Sequence, residues 1–383
     1  MPDAADRIVR IEGFELGCDM PETAGNALRS FSRRETLFVR VTTAGGISGW
    51  GETWAFPAPA AAFIRTVLAR VVLGASIDNP RRLHADMLRL VVPERRGLAL
   101  MAVSAIDMAV WDALGRAGNR PIHALLGGAL RDALPAYASG PLLPVGGDRY
   151  RDFRSAVESY VDSGFRAVKI RIGVGLARDE AAIRAAREIL GADRMLMADL
   201  NEASTVRSTL ALLDNVRDVG LGWIEEPVRH DDLPAWRDLA ARVSVPLAGG
   251  ESFCGAQAFR DAIGERTLDI VQPDIALCGG FTEVQRVCGL ADAFGIPVIP
   301  HVWGGGVNFL ASIQLAATLT EPAGAPALPM LEYDMSHNPL RAALYDPLPD
   351  AAGMVAIPDG PGLGIEIDAE RLAGYVSGHW VLE

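Results

Sequence analysis

The sequence predicts an α/β chain: a parallel TIM-like barrel preceded by a smaller segment of mixed strands and helices. Three observations predict it. Eight short apolar runs alternate with helix-like stretches from Leu134 onward; three successive runs end in an acid at a constant interval of 26 residues, Asp199, Glu225 and Glu251; and 383 residues suit a barrel of ~250 residues with a companion of ~130. Half the residues are hydrophobic, enough to fill a core of that size.

Taken in order, residues 8–15, 37–43 and 46–54 read as an antiparallel meander turning at Thr43-Ala44-Gly45-Gly46. Helical patterns follow over 60–72, 80–90 and 98–118. The third is apolar on most faces, so it should be buried where the first segment docks on the barrel. Barrel strands are expected at 134–139, 167–172, 194–200, 222–227, 245–251, 270–275, 297–301 and 329–334, enough to close a barrel. Beyond them the alternation stops at a Pro/Gly-rich cluster, residues 357–364, and the tail is expected to return to the N-terminal segment. The expected divisions are 1–130, 131–350 and 351–383.

A net charge of −12, a pI near 5.1 and no basic run longer than a pair speak against nucleic acid as a partner. Cys18, Cys254, Cys278 and Cys288 show no CxxC spacing, the start is acidic without an apolar core, and no apolar stretch approaches ~20 residues. A cytoplasmic protein with no membrane segment is expected.

Strands of a parallel barrel all end at one rim, so Asp199, Glu225 and Glu251 should converge there. Unit charges ~4 Å apart repel by roughly 4 kcal/mol at an effective dielectric near 20, so a cation or protons must sit among them. All-oxygen ligation with room for substrate oxygens favours Mg²⁺. The next two strands end in Asp274 and His301, a carboxylate beside an imidazole, which makes a general base. Lys169 and Arg171 share one face of the second strand; they either neutralise the acids or bind a substrate carboxylate or enolate. Glu332, on the last strand, could donate to an enolate oxygen if protonated, and Asn201 could bond a hydroxyl. Metal, cations and dyad together form equipment for removing a proton α to a carboxylate. Elimination or epimerisation follows.

These residues resemble the enolase superfamily and, within it, the mandelate racemase group, over essentially the whole chain. The resemblance implies an N-terminal α+β capping domain, a (β/α)₇β barrel and a C-terminal return to the cap. It also implies Asp199, Glu225 and Glu251 as Mg²⁺ ligands, Asp274 and His301 as the base dyad, Lys169 and Arg171 as the second-strand pair, and Glu332 as the electrophilic acid. In Trp-Ile-Glu-Glu-Pro the first acid, Glu225, is the ligand of this group, and Glu226 should face away. The stretches Arg95–Leu98, His301–Gly304 and Met330–Asp334 are similar to the galactarolactone cycloisomerase branch and its acid-sugar dehydratase relatives. A small sugar acid or lactone as substrate is therefore expected, as is a homo-oligomer.

One position departs from the group's Lys-x-Lys pattern: Arg171 stands where the second Lys acts as an acid/base. A guanidinium deprotonates with great difficulty, so one-base elimination through His301 is expected over two-base racemisation, and direct carry-over of cycloisomerase activity is weakened. Substrate choice should reside in cap loops, residues 18–34 with Arg29, Arg33 and Arg34 and residues 54–59, with Trp303 as a pocket wall. Gly304-Gly305-Gly306 lacks the Lys and Ser/Thr of a phosphate loop and reads as a tight βα turn. The competing readings are a racemase or epimerase of a 2-hydroxy acid and a catalytically silent barrel that binds a metal or sugar acid.

Overall fold

The computed structural model describes residues 4–325 and 327–383. Its N-terminal sheet is antiparallel, with strands Ile8–Gly25, Ser30–Thr43 and Ser48–Thr53 in sequence order. The strand Val376–Leu382 lies on the other side of the first, Leu16 pairing with Val376 and Ile11 with Leu382.

The first two strands run further than the sequence suggests. Residues 18–34, expected as a loop over the mouth, are mostly a hairpin arm in which Cys18 pairs with Arg34 and Asp19 with Arg33. The arm closes because the Asn26 side chain accepts from the N–H groups of Leu28 and Arg29, at 3.0 and 2.8 Å, a local turn that a polar composition alone does not reveal.

The helix Gly97–Ala117 lies across this sheet. Its length and hydropathy would suffice to cross a membrane, which corrects the expectation that no stretch is apolar enough, but it is mostly buried inside the protein. Gly49 and Gly51 let the third strand lie directly on it: a Cβ at Gly51 would fall 1.9 Å from the Ala105 carbonyl oxygen.

The second sheet is parallel apart from one short added strand and curls through Ala133–Ser139, Ala167–Arg171, Met195–Asp199, Ile224–Glu225, Leu247–Gly249 and Ile270–Val271, with Leu331–Asp334 paired back onto the first of these. The expected seventh strand, 297–301, is present as an extended segment held by a single bridge, Val271 with Val298. Pro297 and Pro300 lack N–H donors, which keeps its ladder short. The eight segments follow the barrel order, and helices such as Leu176–Leu190 and Gly280–Phe294 connect them.

Two carboxylates from the N-terminal segment seat it on barrel helices. Asp107 Oδ2 accepts the Thr282 N–H at 2.9 Å in the first turn of helix Gly280–Phe294. Glu52 Oε2 accepts the Asn308 N–H at 2.7 Å in the first turn of helix Gly306–Ala316. Both satisfy N–H groups that a helix start leaves unpaired.

Burial raises each acid to about 7 against its hydrogen bonds. A carboxyl with a folded pKa above its unfolded one favours the folded state most below the unfolded value, and that contribution is lost as pH rises toward 7. Asp107→Asn removes this loss at one site. The melting temperature of the variant minus that of the wild type should be larger at pH 8 than at pH 5, by about 3 °C or more; equal differences in thermal melts at the two pH values would refute the assignment.

Candidate active site

The barrel interior is layered by strand alternation. Tyr137, Met197, Trp223, Ile270 and Ile299 form an apolar floor. Two residues further along their strands, Asp199 and Glu225 belong to a charged layer with Lys169 and Glu332, all nearly inaccessible.

Lys169 is the centre of that layer. Its ammonium pairs with Glu225, lies 2.8 Å from Glu332 Oε1 and 3.8 Å from Asp199 Oδ2. Burial disfavours its charge, yet the surrounding carboxylates hold its pKa well above the usual lysine value. Glu225 Oε2 also accepts from Trp223 Nε1 at 2.9 Å and Gln272 Nε2 at 2.7 Å. Glu332 accepts from Lys169 and, at 3.1 Å, from the Val302 N–H. Burial pushes Glu332 up, but the charges of Lys169 and His301 prevail and bring it down to about 2. With Lys169 and the Val302 N–H as its donors it is an ionised acceptor in this arrangement; the donor role raised from the sequence needs its protonated form.

At the rim, His301 Nδ1 lies 2.8 Å from Asp274 Oδ2 and Nε2 lies 3.1 Å from Glu251 Oε2. Burial lowers the imidazole pKa, and the Glu251 charge with the Asp274 bond overturns this and raises it to about 10. Asn201 donates its backbone N–H and its side-chain amide to the two oxygens of Asp199, at 2.8 and 2.9 Å.

Asp199, Glu225 and Glu251 all have raised pKa values, burial first, with repulsion from neighbouring acids adding to it. Among the described residues no three His, Cys, Asp or Glu side chains stand close enough together to hold a metal as placed. Lys169 stands between Asp199 and Glu225, and Glu251 leans on His301, so these two cations supply the countercharge. The donor chemistry nevertheless fits a hard divalent ion: three carboxylates that repel one another, beside the buried Asn201 Oδ1, which has no hydrogen-bond partner.

Above the charged layer a cavity of about 490 Å³ opens between the hairpin arm, the turn after Trp54 and the rim, walled by Arg171, Asn201, Glu226, Glu251, His301 and Trp303. Lys169 and Glu332 lie below it. Arg171, 6% exposed, donates to Ser139 Oγ at 3.3 Å and turns the rest of its fork toward the cavity. Arg29 is exposed at the mouth, whereas Arg33 is tied to Asp19 at 2.8 Å.

Of the three arm arginines, all of which line the cavity, Arg34 is the buried one: its guanidinium lies 4.0 Å from the centroid of Trp303 and pairs with Asp334 at 2.7 Å. One wall residue was missed. Glu226 was expected to face away from Glu225, but the strand ends at Glu225 and Glu226 adopts a left-handed backbone, φ 38°. Its side chain is 2% exposed, with Oε1 unpartnered.

A family model described as enolase C-terminal domain-like matches residues 152–371, and the mandelate racemase/muconate lactonizing enzyme N-terminal domain matches residues 20–127. The chain belongs to the enolase superfamily. It is an enzyme of the mandelate racemase group, a lyase or isomerase. It is 37% identical to D-galactarolactone cycloisomerase of Agrobacterium fabrum over 96% of this chain and 97% of that one. Arabinonate dehydratase of Saccharolobus solfataricus is 29% identical, covering 87% of this chain and 88% of its own length. A racemase from Streptomyces coelicolor A3(2), solved with bound magnesium, superposes with a TM-score of 0.86 at 26% identity, covering 96% of this chain and 99% of that one.

Proposed function

We propose that this superfamily member removes the proton α to the carboxylate or lactone carbonyl of a sugar acid and then eliminates a β-oxygen, as an acid-sugar dehydratase or a lactone cycloisomerase. The observation that carries this reading is the one-sided basicity of the cavity. His301, oriented by Asp274, reaches it, whereas Lys169 is committed to acids below it and Arg171 is a guanidinium.

In this reading Glu251 turns away from Nε2, which leaves His301 a neutral imidazole oriented by Asp274; Nε2 then takes the α-proton, leaving an enolate. The imidazolium returns the proton to the departing β-oxygen as the C–O bond breaks, giving an enol and then the 2-keto product; in an aldaric lactone whose α-carbon joins the ring to a free carboxylate, the β-oxygen is the ring oxygen, which leaves as the second carboxyl group. The Arg171 fork holds the substrate carboxylate or enolate oxygen, Asn201 bonds a hydroxyl and Trp303 walls the sugar. Glu332 keeps Lys169 in place. Asp199, Glu225 and Glu251 would hold Mg²⁺. Bound there, a divalent ion supplies neutralisation of the three acids and of charge developing on the enolate. Arg171, a guanidinium where the group has a lysine, disfavours two-base racemisation.

The test is incubation in D₂O with Mg²⁺ and a panel of aldonic and aldaric acids and their lactones, including arabinonate and galactarolactone, followed by NMR. A 3-deoxy-2-keto product with deuterium at C3 is expected. Deuterium at the α-carbon without a new product would replace elimination by epimerisation, and no exchange with any compound would favour a silent binding barrel.

A further inference from the structure

Asp274, the partner of the proposed base, is wholly buried, and all four of its acceptor positions are used. Oδ2 faces His301 Nδ1 at 2.8 Å and Trp54 Nε1 at 2.9 Å; Oδ1 accepts from Asn308 Nδ2 at 3.1 Å and the Ala276 N–H at 2.8 Å. The barrel supplies three of these donors. Trp54 comes from the end of the third strand of the N-terminal sheet, 220 positions away in sequence. Its ring also tilts against that of His301, with centroids 6.2 Å apart.

A second link runs through Glu52, two residues earlier. Its carboxylate accepts from Thr36 Oγ1 at 2.6 Å and from the N–H groups of Gly305 and Asn308 at 2.5 and 2.7 Å. It thereby fixes the helix start that carries Asn308. The triple glycine permits this approach. A Cβ at Gly304 would fall 2.6 Å from Glu52 Oε1, and one at Gly305 would fall 2.8 Å from the Phe38 ring.

We infer that Trp54 is a positioning residue for the Asp274–His301 dyad, and that Glu52 seats the same strand end, so the N-terminal segment sets the orientation of the base. This rests on the proposed role of His301. A carboxylate held by three donors besides the imidazole cannot swing, and the ring it orients keeps one heading toward the α-proton. Small errors in such headings are costly to proton transfer.

Trp54→Phe tests this because the ring, and with it the cavity wall, is retained while the N–H is lost. On whichever acid or lactone of the panel exchanges fastest, kcat should fall roughly ten-fold with KM within about two-fold. The primary isotope effect with the α-deuterated compound should rise as proton transfer becomes limiting. Glu52→Gln should shift the same two quantities in the same direction, with folding of both variants checked by circular dichroism. A change confined to KM, or an unchanged kcat and isotope effect in a folded Trp54→Phe protein, overturns the inference while leaving the base intact. Exchange that persists in His301→Asn overturns the base assignment and this inference with it.

Discussion

His301→Asn is expected to abolish deuterium exchange at the α-carbon and to lower turnover by roughly 10³-fold or more, at the upper range for loss of a general base. Asparagine retains an amide N–H for Asp274 but has no group that can take a proton at neutral pH. Neither of the two strand cations beside the cavity can replace it. Lys169 is surrounded by Glu225, Glu332 and Asp199, so its lone pair is unavailable, and Arg171 stays charged in its buried site. Residual exchange above one percent of wild type would mean that the base lies elsewhere on the rim.

The second large effect is on metal binding, read without turnover. Mg²⁺ at about 100 times its dissociation constant should stabilise the wild type by about 2.7 kcal/mol, a rise of roughly 3 °C in melting temperature. Glu225→Gln should lose most of that rise, because it removes one ligand charge and leaves Lys169 beside Asp199 and Glu332. The sign of the pH dependence follows from the raised carboxylates. Protons compete with the ion at acid pH, so the shift should be larger at pH 8 than at pH 5. A Glu225→Gln protein that keeps the full wild-type shift would move the metal off this layer.

Much of this arrangement was legible because barrel chemistry is periodic. Asp199, Glu225 and Glu251 repeat at the length of one βα unit, and alternation along a strand links Lys169 with Arg171 and Trp223 with Glu225. What escaped is non-periodic. The side chain of Asn26 converts an expected loop into an arm, and a left-handed backbone at Glu226 brings that residue to the cavity wall beside Glu225. The placement of Lys169 below the cavity depends on the relative depth of three carboxylates, which spacing does not encode. The bond between Trp54 and Asp274 joins two parts of the chain that share no pattern, so only the folded geometry discloses it.

The strand Val376–Leu382 bears on how the protein is made. Leu16 waits for Val376, 360 positions later, before the outer edge of its sheet is paired. During synthesis the first strand leaves the ribosome with an open edge and stays so while the whole barrel is translated, a state open to mispairing between nascent chains. The sheet that carries Glu52 therefore gains its outermost strand only after the barrel sequence has been translated.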